Sequence, residues 1–354
     1  MKKKVILTSI WITGLFLSSF FYLPLLPKVQ AFPLDYEIKA EVNPSIETLQ
    51  IFYLLKSESN YSQCEFENTI FKKLSLEWFS PFADHKAVKE FNAVISEEYS
   101  QEQLMTLFSK FTFNNAGTFD LSSTELKNNQ QLASWMLDVN DFLVQSQSET
   151  FSSRMNDYYS LLLDSLTPRS PFIKTLQKMA SFFALNQCKV YVTPTLMHQF
   201  YLIPDQKNNR LSFTIILGLQ SIQNGYISFT SSKIQQDLLY TALLNQCLEY
   251  SLSDYQSDID QMSVLWPSIQ ESMKKDQIET WNKAFQEHLR ISLLVRLFPE
   301  PNTLELYQNK VNLGYAYLPA TSGIVEEYLR QRPFYQNFAS LMRLVLIRFS
   351  SISS

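Results

Sequence analysis

The sequence has few of the residues from which common catalytic and nucleotide-binding sites are built. It contains 6 glycines, 3 histidines and 3 cysteines among 354 residues. So few glycines leave little room for tight β-turns or for loops that bind phosphate. The histidines, His85, His198 and His288, are isolated, and no two have the HxxxH or HxH spacing that presents paired imidazoles. We therefore expect each histidine to lie at the surface or at the edge of the core.

The three cysteines argue against a metal site built on thiolates. Cys64, Cys188 and Cys247 are far apart and none belongs to a CxxC motif. An oxidising compartment would permit one disulfide, but three cysteines provide no framework of disulfides. Cys188 begins a predicted strand and Cys247 lies in an apolar helix, which favours buried structural thiols. Whether Cys188 and Cys247 pair is left open by the sequence.

Several catalytic and binding motifs are also absent. The chain has no G-x-S-x-G nucleophile elbow, no G-x-x-x-x-G-K-[ST] loop and no G-x-G-x-x-G fingerprint. The acidic pattern "DVNDF" (138–142) lacks the glycine and the terminal glutamate of a calcium loop. The residues therefore predict no cofactor and no metal site.

The N-terminus has the pattern of an export signal. Lys2 to Lys4 precede an uncharged run from Val5 to Leu26, and "KVQAF" follows. This pattern predicts a secretory signal peptide, residues 1–31, cleaved after Ala31. The alternative is an uncleaved anchor, because the apolar run nearly reaches the length that spans a bilayer. In either case we expect export, to the periplasm, to the outside, or to a membrane through residues 5–26.

The charge of the remaining chain limits its partners. Residues 1–31 contain four lysines and no acidic residue, so removing them changes the formal net charge from −4 to −8. An acidic surface argues against nucleic acid and against anionic lipid as partners. Contact with a membrane is therefore expected only through the N-terminal segment, and the sequence leaves the oligomeric state open.

The apolar periodicity predicts helices interrupted by a small sheet. Asn43 and Pro44 have the types of an N-cap and a first helical residue, and an apolar helical stripe follows them. Three β-branched and aromatic runs come later: "CKVYVTP" (188–194), "RLSFTIILG" (210–218) and "GYISFT" (225–230). We predict an α+β fold, predominantly α-helical, with a small three-stranded sheet inserted between helical segments.

The same pattern gives the expected organisation of the exported chain. A helical N-terminal part, 32–185, precedes a part that contains the sheet, 186–354, and we expect the two to form one compact unit. Asp84 is the predicted cap of one helix. Helices are expected at about 64–79, 84–99 and 100–110, twice within 124–166, and at about 232–252, 258–275 and 276–298.

The order of several segments carries a resemblance. These segments are "PSIETLQIFYLLKSESNYSQ", "FADHKAVKEFNAVISEEYS", "NDFLVQSQSETFSSRMNDYYSLLLDSL", "CKVYVTPTLMHQFYLIP" with "LSFTIILG", and "NLGYAYLPATSGIVEEYLRQRPFYQNFASLMRLVLIRF". In this order they resemble a bacterial family with a zincin-like peptidase fold, domain of unknown function 4932. The resemblance runs through nearly the whole mature chain and implies a zincin-like fold.

The resemblance also implies that a metal site has been lost. In members with the peptidase signature, a helix after the strands carries H-E-x-x-H, whose histidines bind zinc while the glutamate polarises water. On this sequence the three positions are Tyr240, Thr241 and Leu244. In a later helix, "FQEHLRISLLVRL", Glu287 matches the acidic ligand. One carboxylate without imidazole partners does not hold zinc usefully, because zinc takes about four ligands.

These observations favour one function and leave two alternatives. We expect an exported zincin-like protein that has lost peptidase activity and keeps a peptide- or protein-binding cleft, with Tyr240 among the aromatic residues lining it. The first alternative is a helical envelope protein with a structural or interaction role and no protease ancestry. The second is an active hydrolase of unusual geometry that uses Glu287, His288 and a further acid.

Overall fold

The computed structural model describes most of the chain after its N-terminal segment. The described residues are 38–56, 70–164, 166–197, 200–207, 210–219, 221–223, 226–228, 233–299, 301–331 and 337–353. Residues Glu37–Ser354 form one unit. The predicted signal peptide, Cys64 and His198 lie outside the described residues.

Helices make up most of the part before the sheet, as the periodicity predicts. They are α1 (Pro44–Leu55), α2 (Ile70–Phe79), α3 (Lys86–Glu90), α4 (Ser96–Glu98), α5 (Gln101–Phe108), α6 (Thr124–Lys127), α7 (Gln130–Gln145), α8 (Ser148–Arg154), α9 (Asn156–Asp164) and α10 (Pro171–Phe182). A π-helical turn, Phe91–Ile95, joins α3 to α4. The two helices expected within 124–166 are four shorter ones.

A second set of helices follows the strands. These are α11 (Lys233–Leu252), α12 (Gln256–Gln261), α13 (Gln270–Lys274), α14 (Trp281–Leu297), α15 (Pro301–Asn312), α16 (Leu318–Gln331) and α17 (Phe338–Ser353). The central helix of this set is α14, which packs against α11, α15 and α16. Its predicted start at 276 is wrong, because the Thr280 side chain accepts a hydrogen bond from the Lys283 backbone amide and begins the helix there.

Two predicted helix caps have different outcomes. Asn43 caps α1 as predicted, with its Oδ1 accepting hydrogen bonds from the amides of Ser45 (2.8 Å) and Ile46 (3.3 Å). The prediction of Asp84 as a cap is wrong. His85 has extended backbone and its Nδ1 accepts from the Ala87 amide at 3.2 Å, so His85 is the N-cap of α3. Asp84 instead forms an ion pair with a lysine of α3.

The sheet has four strands rather than the predicted three. They are β1 (Ala40–Glu41), β2 (Gln187–Met197), β3 (Phe200–Lys207) and β4 (Arg210–Leu219), in the spatial order β1-β2-β4-β3. Both β1 and β4 are parallel to β2, whereas β3 is antiparallel to β4. The expected third strand belongs to a separate pair, β5 (Ser221–Gln223) with β6 (Tyr226–Ser228).

The two strands of this sheet that were not predicted, β1 and β3, lie at its edges. The polar end of β3 resembles a turn, and Pro204 within it disfavours a central strand, but an edge strand tolerates proline. With only two residues, β1 has no periodic pattern, and it exists because it pairs with Val190 and Tyr191 far along the chain. The α+β class with predominance of helices is confirmed, and the three-stranded sheet is wrong.

One aromatic core joins the first helices to the sheet. The Phe52 ring of α1 lies 5.5 Å from that of Trp135 and 5.0 Å from that of Phe142. The Trp135 indole is fully buried and donates a hydrogen bond to the Ala87 carbonyl at 3.0 Å. Tyr191, Ile203 and Ile216 of the sheet belong to the same cluster. The core therefore fixes α1 between α7 and the sheet.

We predict that Trp135→Ala destabilises the protein by about 3–5 kcal/mol, because it leaves a cavity in the core and removes the indole hydrogen bond to the Ala87 carbonyl. The matched control is Leu137→Ala on the same helix, whose side chain is 60% exposed. That control is expected to change stability by less than about 0.5 kcal/mol. The measurement is urea-induced unfolding of both variants, and equal midpoints for the two would contradict this account of the core.

Candidate functional site

The residues at the expected metal-ligand positions of α11 belong to the core. The Tyr240 ring is stacked on Phe298, with centroids 4.9 Å apart and planes at 9°, and lies 6.2 Å from the Phe172 ring. Leu244 is fully buried, and Thr241 is partly exposed. The expectation that Tyr240 lines an open groove is therefore wrong, because two aromatic rings cover it.

Glu287 lies apart from Tyr240. The Glu287 carboxylate accepts hydrogen bonds from Arg290, 2.7 Å from Nε and 2.5 Å from a terminal guanidinium nitrogen. Along α14, Glu287 is ten residues before the helix end at Leu297, about 15 Å by the rise of an α-helix. Tyr240 packs just beyond that end, on Phe298. The structure therefore does not bring the four positions inferred from the resemblance to one point.

The buried His288 ring contacts Ala284 and Tyr315. Its Nδ1 donates to the Ala284 carbonyl of the same helix at 2.7 Å, and its ring lies 5.2 Å from that of Tyr315. Burial lowers the pKa of His288, so the ring is neutral near pH 7. In the described part of the chain, no cluster of three or more His, Cys, Asp or Glu could hold a metal ion.

The two described cysteines are buried, as predicted. Cys188 and Cys247 are free thiols in the structure. Burial raises the pKa of Cys188 to about 12, and burial together with the neighbouring Cys188 raises the pKa of Cys247. Both groups are therefore protonated and poorly nucleophilic at neutral pH.

Among the carboxyl groups of the described residues, the buried one of Glu47 on α1 has the largest pKa shift. The Glu47 residue is only 7% exposed. The Tyr159 hydroxyl donates to its Oε2 at 3.3 Å, whereas its Oε1 has no hydrogen-bond partner among the described residues. Burial raises the pKa of Glu47 from 4.5 to about 8, and hydrogen bonds from Thr193 and Tyr159 oppose the shift. Glu47 is therefore mostly protonated at neutral pH.

A second unsatisfied polar atom lies near this carboxyl group. The Tyr158 hydroxyl is buried without a hydrogen-bond partner in the described part of the chain. Burial, with a smaller contribution from Glu47, raises the pKa of Tyr158 to about 12. Its ring is stacked on that of Phe71 at 5.6 Å, so α9 contacts α2 here. Buried polar groups are normally paired, so two unpaired ones at one place need an explanation.

Three cavities adjoin the first turn of α1, and Pro44 lines all of them. We call the set the α1 recess. The largest, the sheet cleft, has a volume of about 650 Å³. The aromatic pocket, about 240 Å³, and the side pocket, about 310 Å³, are both lined by Glu47 and Tyr159. Glu47, whose Oε1 is unpaired among the described residues, therefore lines two of the three cavities.

The local sequence explains the position of the recess. The Asn43 cap and Pro44 begin α1 directly after β1, which places Glu47 one turn into the helix. The Ser45 hydroxyl donates to the Phe111 carbonyl at 2.9 Å and ties this turn to the segment after α5. On the other side, Thr193 lies where the register of β2 with β4 becomes irregular. Such an irregularity changes the direction in which side chains project where regular strand pairing ends.

Sequence reasoning did not find this site. An acidic residue in the first turn of a helix is ordinary, because it interacts well with the helix dipole. The available signal was that Glu47 lies within a strongly apolar segment between Ile46 and Leu49. Its burial depends on α9 and β2, which are more than 100 residues away in the chain.

Chemically, the site has two states. A protonated Glu47 donates a hydrogen bond or a proton, whereas an ionised Glu47 needs a donor with positive charge to compensate its burial.

No family model, no curated protein and no solved structure matches the chain. The family resemblance and the zincin-like fold stay predictions from the sequence.

We predict that Glu47→Gln reduces the pH dependence of stability. The folded state binds the Glu47 proton more tightly than the unfolded state, since the folded pKa is the higher one. The associated stability is therefore complete below about pH 4.5 and is lost as pH rises through about 8. A shift of this size corresponds to at most about 5 kcal/mol.

The measurement is urea-induced unfolding at pH 5, 7 and 9. The neutral Gln variant is expected to be more stable than the native protein at pH 9 and similar to it at pH 5. The control is Glu149→Gln, which changes an exposed carboxylate at the aromatic pocket. Parallel pH profiles for the native protein and Glu47→Gln would show that Glu47 does not carry the proton.

Proposed function

We propose that this protein is an exported binding protein that takes a peptide or protein segment into the α1 recess. The single observation that carries the proposal is the unpaired Oε1 of Glu47 between two cavities. Leaving a buried polar atom unpaired costs about 1–3 kcal/mol. A bound ligand that donates to Oε1 offsets this cost.

The shape of the recess supports an elongated ligand. The sheet cleft has a polar floor, because the register of the sheet places Gln187, Lys189 and Asp205 beside residues of β4 on one face. The two smaller cavities open beside it around Pro44. An extended segment in the cleft could thus place side chains in the pockets, which is how extended peptides gain specificity.

Export and ancestry are part of the proposal and rest on the sequence. Lys2 to Lys4 and the uncharged run Val5 to Leu26 support export. The zincin-like ancestry rests on the order of the segments that resemble the family. In that view Tyr240, Thr241 and Leu244 replace the H-E-x-x-H residues, and the protein binds peptides without cleaving them. Among the described helices, none is long and apolar enough to cross a membrane.

One observation favours the alternative of a helical envelope protein without protease ancestry. Among the described residues of α11, the helix at the expected metal position, none lines the three cavities of the α1 recess. A binding site inherited from a peptidase groove would lie beside that helix. In this alternative the recess is still the binding site, but it arose independently of any metal site.

We predict that Ser152→Trp abolishes peptide binding. Ser152 is exposed and lines both smaller cavities, so an indole there fills them. Ser153→Trp is the matched control, because Ser153 is exposed on the same helix and lines neither cavity. The measurement is fluorescence anisotropy of a labelled mixture of synthetic decapeptides. Equal binding by both variants would place the peptide site elsewhere, and no binding by the native protein would refute the function.

The absence of peptidase chemistry has a separate test. We predict far less than one zinc per chain by elemental mass spectrometry after expression with added zinc, because core side chains occupy the ligand positions of α11. A Glu287→Ala variant serves as the control. About one zinc per chain, lost in that variant, would reopen the peptidase hypothesis.

A further inference from the structure

The residues of the two smaller cavities indicate the charge of the ligand. Glu47 and Glu149 line the aromatic pocket, Glu47 also lines the side pocket, and the described residues that line the two cavities include no lysine, arginine or histidine. The two cavities are therefore electrostatically suited to a cation.

The groups that face Glu47 from the surrounding helices and strand do not supply a cation. From α9 the facing titratable groups are Tyr158 and Tyr159, which are neutral, and from α8 Glu149 lies across the aromatic pocket. The remaining neighbours are uncharged: Thr193 of β2 and Phe71 of α2. An ionised Glu47 is therefore uncompensated by the described chain.

The walls of the aromatic pocket indicate what carries the cation. Apart from the two acids the pocket is lined mainly by aromatic and aliphatic side chains, among them Ile51, Phe71, Phe113, Leu143 and Phe151. Such walls bury methylene groups favourably, and aromatic faces attract an ammonium group. A pocket of about 240 Å³ suits a single side chain rather than a large ligand.

We propose that the aromatic pocket binds a primary ammonium group at the end of an alkyl chain, which donates to the unpaired Oε1 of Glu47. This inference rests on the proposed function and names the chemistry that the recess recognises. A lysine side chain of a bound peptide and a free alkylamine both carry this group. On binding, Glu47 loses its proton to solvent while the ligand keeps its positive charge, so charge and protons balance.

The inference predicts a definite pH dependence of affinity. Because Glu47 must release a proton, affinity is expected to rise about tenfold per pH unit between pH 6 and the pKa of Glu47, near 8. Lysine stays protonated throughout this range, since its ordinary pKa is about 10.4. A ligand without charge gains nothing from the ionisation of Glu47, so its affinity is expected to be flat or to fall with pH.

The test compares two capped pentapeptides, one with a central lysine between alanines and one with norleucine in its place. Calorimetric titration at pH 6, 7 and 8 is expected to show the rise only for the lysine peptide, with about one proton released at pH 6. In Glu47→Gln the preference for lysine and its pH dependence are expected to disappear. Glu149→Gln, the matched acid in the same pocket, is expected to keep the pH dependence.

The outcomes separate this inference from the proposed function. Equal affinity for both peptides, blocked by Ser152→Trp, would overturn the ammonium site and leave peptide binding intact. A lysine preference that survives in Glu47→Gln would also overturn it. No binding of either peptide or of n-pentylamine by the native protein would overturn the inference. The decapeptide mixture described above then decides separately whether peptide binding itself fails.

The two sources of the ammonium group are distinguished by n-pentylamine and 1-pentanol. Tighter binding of the lysine peptide than of pentylamine assigns the pocket to a lysine side chain, and the reverse order assigns it to a free amine. Either order supports the site when pentylamine binds with the same pH dependence as the lysine peptide. Equal binding of 1-pentanol and pentylamine at pH 8 would contradict recognition of charge.

Discussion

The burial of α1 on nearly all sides is the constraint on which the candidate site depends. Most helices at a protein surface bury one stripe and leave the opposite face to water. In α1, however, polar Glu47, Thr48 and Gln50 are buried together with the apolar residues between and beside them. The rings around Phe52 hold the helix in this position, with α7 on one side and the sheet on another. Polar groups thus enter the core because the helix that carries them has no exposed face.

The buried polar groups of α1 differ in what surrounds them. The Gln50 amide lies against the Met105 sulfur at 3.7 Å, and its Oε1 has no partner in the described part of the chain. Gln50 lines none of the three cavities, whereas Glu47 lines two. An unpaired atom of a residue in close packing is only a cost in stability, whereas Glu47, with its unpaired Oε1, also lines two cavities. This difference is the reason for placing the candidate site at Glu47.

Local patterns in the sequence predicted the helices well and the sheet less well. The cap at Asn43, the helix after it and the apolar helix α11 follow from periodicity and capping residues, which act within a few positions. The edge strands β1 and β3 did not follow, because their pairing depends on partners distant in sequence. The cap of α3 is His85 rather than Asp84 for a similar reason. The His85 Nε2 atom lies 3.2 Å from the Asp141 carboxylate of α7, a contact that the local sequence pattern does not predict.

By itself the sequence determined the helical majority, the α+β class and the cap of α1. These features depend on residue type and short spacing, which the sequence states directly. Only the tertiary structure decided that Glu47 is a buried acid with a raised pKa and that Tyr240 is covered by Phe172 and Phe298. Desolvation and the meeting of cavities depend on which distant elements surround a side chain, and no local pattern encodes that.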